Sequence, residues 1–183
     1  MNGIPSLKSV FKRVSRLGKR RGFKYHYQKV QEYNEREGIK DRPNSWDDVI
    51  LIADLRPDDV VLDMGCAEGL ISLEVAKHVR HVDGVEIVAH RVQEASRIAA
   101  ERGVTNVSFK TGTVIDYPLA PSSYDVTLLL AVLDKIVDSG AMVGLQELER
   151  MLAATRRQII IRYNLQRSPR ERTILLEVLA IFL

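Results

Sequence analysis

Val60-Val61-Leu62-Asp63-Met64-Gly65-Cys66-Ala67-Glu68-Gly69 decides the reading of this chain. Its first half is too apolar for a strand that wets one face, so it predicts a strand buried on both sides, as in a parallel sheet. The run ends on an acid, and a glycine turn then leads into a helix expected to reach about Val79. Downstream, the same alternation recurs. A strand is expected at Val82 to Glu86, a helix from Ala89 to Arg102, strands at Val107 to Lys110 and at Tyr124 to Leu130, a helix from Ala141 to Ala154 and a fifth strand at Gln158 to Arg162. Ser168-Pro169-Arg170-Glu171 opens a last helix, with a capping box and a proline at its first position. Upstream, Ser45 and Asp48 predict the start of a helix through Val49, Ile50, Ile52, Ala53 and Leu55, closed by Arg56-Pro57-Asp58. Strand and helix in alternation predict an α/β fold, a doubly wound, mostly parallel sheet. Its ligand is expected beyond the carboxyl ends of the strands, where the glycine turn falls.

The acid at the end of the first strand separates two classes of ligand. A dinucleotide site needs Gly-x-Gly-x-x-Gly, but Ala67 and Leu70 stand at the second and third glycine positions. Asp63 would also oppose two phosphate charges in a partly dry cleft. S-adenosylmethionine has no phosphate; it carries a sulfonium and an ammonium, which an acid favours. Glu86, 21 residues after Gly65 and at the end of the second strand, is close to the roughly 20-residue spacing at which a carboxylate reaches ribose hydroxyls.

From Asp58 through Ile136 the chain resembles the class I, seven-strand, Rossmann-like S-adenosylmethionine-dependent methyltransferase family. Val61 to Gly69 is similar to the first motif of that family, Gly84-Val85-Glu86 to its ribose-binding strand end, and Tyr124-Asp125-Val126 to the start of its fourth strand. The resemblance implies S-adenosylmethionine as cofactor. It implies that Asp63, Gly65, Ala67 and Gly69 face the methionine and ribose portions, Glu86 the ribose, and Leu130 and Ala131 the rim of the reaction site; Cys66 and Ile87 fall inside the same motifs and are counted with them. Ala67 replaces a common glycine. On the adenine side, Gly112 is followed by Thr113-Val114 instead of the usual acid, so Thr113 or Asp116 is the expected partner. Cys66 reads as a small buried residue and not as a nucleophile, because no histidine partner is near in sequence. Methyl transfer needs the acceptor held in line with the methyl carbon. A general base serves only an acceptor that must lose a proton; Asp134 is the candidate, with a surface Asp134–Lys135 ion pair as its competing reading. The expected activity is methyl transfer to an O or N acceptor, a small molecule or RNA. The alternative is a degenerate module that binds cofactor or RNA without turnover.

Composition bounds the rest. In a chain of 183 residues, Cys66 is the single cysteine, which rules out an intrachain disulfide and a cysteine-based zinc cluster within the chain. No apolar run reaches the roughly 18 residues of a membrane span, and no secretory apolar stretch opens the chain, so a cytoplasmic protein is expected. Residues 1–42 hold 12 Lys and Arg against 4 Asp and Glu, a net +8; the remainder holds 15 against 20, a net −5. Leu7, Val10, Phe11, Val14 and Leu17 recur at helical spacing among those cations, so residues 1–44 read as a basic helical arm and residues 45–183 as the cofactor-binding domain. The arm has two readings: a cap packed on the domain, or a contact for a phosphate-rich partner through Lys12, Arg13, Arg16, Lys19, Arg20, Arg21 and Lys24 with Tyr25, His26 and Tyr27 beside them. An anionic membrane surface would suit the same stripe. The resembled family carries two further strands after the fifth. Without them Ile159, Ile160 and Ile161 would lie on an edge, which predicts either a longer parent chain or a homodimer across strand five and the last helix.

Overall fold

The computed structural model describes residues 49–50, 53–130, 132 and 141–162. The expected basic arm, the start of the Ser45 helix, Ala131, Asp134 and the helix from Ser168 lie outside the described residues. What is described is a five-stranded, wholly parallel sheet, crossed by three helices. In chain order these are β1 (Val60–Met64), α1 (Leu70–Ala76), β2 (His81–Glu86), α2 (Ala89–Glu101), β3 (Val107–Thr111), β4 (Tyr124–Leu130), α3 (Ala141–Ala154) and β5 (Thr155–Arg162). The strand order is β3-β2-β1-β4-β5. The chain therefore winds outward from β1 to β3, returns across the sheet and winds outward again, which leaves a crevice at the carboxyl ends of β1 and β4.

Both faces of the sheet are covered, and side-chain alternation sorts residues between them. On one face Leu62, Met64, Val85, Leu129 and Ile159 pack with Leu148, Met151 and Leu152 of α3. On the other Val61, Val82, Val126, Leu128, Leu130 and Ile160 pack with Val75 and Ala76 of α1 and with Val49 and Ala53. β1 lies between β2 and β4, with Val61 paired to both Val82 and Val126. That central place explains why its sequence is a continuous apolar run.

Two of these boundaries differ from the sequence expectation by three residues, each for a local reason, and the others by no more than one. α1 stops at Ala76, not at Val79. Lys77 and His78 bond back three residues, to Glu74 and Val75, and the Asn106 side-chain amide caps the carbonyls of Ala76 (2.8 Å) and Val79 (3.1 Å). β5 begins three residues early, directly from α3. Thr155 pairs with Tyr124 ahead of a register shift, and its buried hydroxyl meets both the Met151 carbonyl and the Thr127 hydroxyl at 2.6 Å. At the opposite end of the sheet from the glycine turn, the buried Asp59 carboxylate takes the Arg56 N–H at 2.8 Å and the Arg157 guanidinium. Asp125 there joins the Val60 N–H to Arg156. These acids are structural clasps.

Phe109 of β3 backs the glycine turn. A Cβ at Gly84 would stand 2.5 Å from the Phe109 ring and 3.0 Å from Cys66 Sγ, and one at Gly69 would stand 2.6 Å from the same ring. The ring thus occupies space that only two glycines leave open. Gly84→Ala should overpack this contact and lower stability by about 1–3 kcal/mol. Urea unfolding measures it, and Phe109→Leu in the Gly84→Ala background should recover part of the loss, because it shortens the side chain that clashes.

Candidate functional site

The crevice holds a cleft of about 690 Å³. Its floor is the Met64–Ala67 turn, one wall is Glu86–Val88 at the end of β2, another is Gly112–Ile115 after β3, and Leu130 and Val132 close the β4 side. The floor is anchored by backbone bonds: the N–H groups of Gly65 (2.7 Å) and Cys66 (3.1 Å) donate to the Val85 carbonyl. Gly65 has φ +83°, and a Cβ there would overlap the Val132 side chain, so a glycine is required both by the turn and by the close approach of the chain after β4.

Glu86 ties the cleft together. Its Oε2 accepts the Ala67 N–H at 3.1 Å and its Oε1 the Val88 N–H at 3.0 Å, so one carboxylate spans the glycine turn and the step after β2. It is buried yet lines the cleft. A carboxylate offers roughly four acceptor sites, and these two bonds leave capacity for a ligand. Ala67 adopts φ +49°, a left-handed backbone rare for a residue with a side chain, and its N–H meets Glu86 from that conformation.

Asp63 lies beneath the floor. It is fully buried, accepts the Ser72 hydroxyl at 2.5 Å, and does not line the cleft. Burial pushes its pKa up to about 6, the Ser72 hydrogen bond pulls the other way, and the nearby Glu86 adds to the rise. Burial, with Asp63 and Glu86 adding to it, also pushes the Cys66 thiol well above its ordinary value. That side chain is a protonated, buried thiol, the opposite of an activated nucleophile. Gly69 serves as the left-handed N-cap of α1 and does not line the cleft.

Thr113 and Val114 line the cleft, but Asp116 does not. The Thr113 hydroxyl donates to the Asp116 carboxylate, and the Asp116 N–H returns to the Thr113 hydroxyl at 3.3 Å. The Thr113 hydroxyl, with lesser help from backbone N–H groups and Arg150, holds the Asp116 carboxyl below the usual range. The two adenine candidates therefore form one closed turn, and Thr113 is the member at the cleft. Ile87 and Leu130 also stand on the lining.

Sequence reasoning passed over several residues here. Leu70, Ile87 and Ile115, the exposed large hydrophobics recorded among the described residues, all line the cleft. Of these only Ile87 was expected. Arg91, on the first turn of α2, pairs with Glu68 of the glycine turn at 3.3 Å, and both side chains line the cleft. Its place five residues after Glu86 was a usable signal. Val132 and Phe109 act by close packing against glycines far away in sequence, which no local pattern announces. Among the described residues, no group of three or more His, Cys, Asp or Glu is placed to hold a metal ion, and no helix is long and apolar enough to cross a membrane.

A family model described as a methyltransferase domain matches residues 55–176, two thirds of the chain and the whole of this cleft. The chain belongs to this methyltransferase domain family. Its relatives include a protein of Lactobacillus johnsonii named as an uncharacterized RNA methyltransferase, 43% identical over 70 residues, which are 38% of this chain and 16% of the relative. The uncharacterized methyltransferase YcgJ of Bacillus subtilis is 35% identical over 78 residues, 43% of this chain and 31% of that protein. The solved structure of YcgJ superimposes with a TM-score of 0.50 at 28% identity, over 54% of this chain and 42% of that one. A SAM-dependent methyltransferase from Methanosarcina mazei gives 0.51 at 25% identity, over 58% and 52%. The matched stretches thus span less than a third of the length of these curated relatives. The methyltransferase domain has the strand order expected of the class I fold, with its glycine turn at the crevice.

Two outcomes are expected from this geometry. Asp63 binds a proton more tightly folded than unfolded between its ordinary 3.8 and about 6, so its own contribution to stability is greatest below that window and is lost as pH rises through it, by at most about 3 kcal/mol. Asp63→Asn should remove that slope, leaving a variant more stable than the parent at pH 7 and no more stable near pH 4, read from urea midpoints across pH. Ala67→Gly should relieve about 1 kcal/mol of left-handed strain and raise the melting temperature.

Proposed function

We propose that this methyltransferase domain transfers a methyl group from S-adenosylmethionine to an O or N acceptor, a small molecule or RNA. The observation that carries the reading is the Glu86 carboxylate, locked to the amides of Ala67 and Val88 at the lip of a cleft whose floor conceals a second acid, Asp63. Two acids in a partly dry crevice favour a cationic ligand and oppose a pyrophosphate. Glu86, fixed by two amides, is oriented to accept from ribose hydroxyls with its remaining lone pairs. Gly65, Cys66 and Ala67 let the backbone approach the methionine and ribose portions closely, with Asp63 and Gly69 holding that turn from behind. Ile87, Val114 and Ile115 offer apolar surface to a flat ring, and Thr113 and Val114 lie on the same wall. Leu130 lines the cleft and is assigned to the reaction rim, a role the family resemblance extends to Ala131, the next residue in sequence.

The sulfonium supplies an activated methyl group and leaves as a neutral thioether. What the protein must add is alignment of the acceptor and exclusion of water. Asp134 is the proposed base where the acceptor has to lose a proton. The basic arm, residues 1–44, is read as the contact for a phosphate-rich partner, self-association across strand five and the last helix belongs to the same reading, and a cytoplasmic location fits both. Support for an RNA acceptor comes from the name of the Lactobacillus johnsonii relative, which shares a stretch of 70 residues with this chain. The methyltransferase family match supports turnover over a binding module, which would use the same glycine turn and Glu86.

S-adenosylhomocysteine should bind in calorimetry, NAD should not compete, and Glu86→Ala should weaken binding by about 1.5–3 kcal/mol through lost charge-assisted hydrogen bonds. Tight NAD binding, or unchanged affinity in a folded Glu86→Ala protein, would overturn the assignment. Release of S-adenosylhomocysteine on addition of RNA or small-molecule fractions separates turnover from binding alone and names the acceptor class.

A further inference from the structure

The wall formed by Thr113, Val114 and Ile115 belongs to a segment with no strand partner, so nothing in the sheet fixes its peptide planes. Beyond the bonds within its own turn, including Tyr117 N–H to the Thr113 carbonyl at 3.0 Å, its support comes from α3. Arg150 donates to the main-chain carbonyls of Val114 (3.3 Å), Ile115 and Tyr117 (2.6 Å), residues 33 to 36 positions away in sequence. Glu147, one turn earlier on the same helix and buried, pairs with the same guanidinium. A guanidinium is planar, permanently charged and carries five donors in a rigid fork, so it can hold three carbonyls at once; an ammonium on a flexible stem cannot keep that geometry. With the Val114 carbonyl turned to α3, the planar trans peptide turns the Ile115 N–H away from it.

We propose that Arg150 is a positioning residue for the cofactor: through the Val114, Ile115 and Tyr117 carbonyls it holds the Thr113–Tyr117 turn as the wall on which the adenosine end of S-adenosylmethionine packs. This rests on the reading of the cleft given above. Arg150 does not line the cleft and touches no reacting atom. Its effect on affinity is indirect, by restricting the wall before the ligand arrives, so that less ordering is left to binding.

The test uses the full chain and Arg150→Lys, which keeps the charge beside Glu147 but loses the fork. Affinity for S-adenosylhomocysteine is read by calorimetry, and amide hydrogen exchange is followed in the ligand-free protein. The expected result is a loss of affinity of about tenfold or more, with faster exchange confined to residues 112–117 and the β1 and β4 amides unchanged. Glu147→Gln, which keeps an acceptor for Arg150, should bind nearly as the parent does. Parent-like affinity in Arg150→Lys overturns the proposal, as does faster exchange spread evenly over the sheet, which would mark a general structural role. If the parent itself fails to bind S-adenosylhomocysteine, the cofactor reading falls, and local exchange at 112–117 still decides whether Arg150 holds the turn.

Discussion

One carboxylate joins the parts of this molecule that have to meet. Glu86 is the last residue of β2, and its two oxygens hold amides from either side of the cleft, Ala67 in the turn after β1 and Val88 at the start of α2. The parallel register that pairs Met64 with Val85 brings those strand ends level. The carboxylate then does for the loops what the ladder does for the strands, and charge-assisted bonds in a buried place are the stronger kind. Ala67 is held in a left-handed conformation that alanine disfavours, so the interaction outweighs about 1 kcal/mol of backbone strain.

The same neighbourhood concentrates negative charge where a cleft needs it. Asp63 is kept out of water beneath the turn, and Glu86 beside it makes ionisation harder still. A site arranged in this way is less stable empty than one with neutral residues. It becomes comfortable when a positive ligand arrives, because opposite charge lowers the pKa that burial raised. Cys66 is silenced chiefly by burial, with the two acids adding to it. A buried, protonated thiol is no nucleophile, so Cys66 adds packing to the cleft and not covalent chemistry.

Packing supplies the remaining geometry. The Phe109 ring fills the space left by Gly84 and Gly69, and Val132 comes against Gly65, so three glycines are kept small by three different close approaches. On the far wall α3 reaches over the sheet with Arg150 and ties down a segment that has no ladder of its own. Helix, turn and strand thus share the task of shaping one cleft, and neither of the outer walls could be formed by its own residues alone.

The sheet and its helices were legible because their causes are local and periodic. The apolar run at Val60 to Leu62 announced a buried parallel strand, and Gly65 and Gly69 announced the turn. The 21-residue step to Glu86 announced an acid at the next strand end, and the matching family model places the chain among methyltransferase domains. Tertiary structure alone decided what depends on groups distant in sequence. It decided that α1 stops at Ala76, because Asn106 takes its last carbonyl; that Thr155 already belongs to β5, because its hydroxyl bonds with that of Thr127; that Thr113 and Asp116 close on each other; and that Arg150 supports the wall beside them. Periodicity and turn chemistry are written within a few residues of one another. Hydrogen bonds and close contacts between segments tens of residues apart depend on the register of the finished sheet, and one sequence read along its length carries no record of that register.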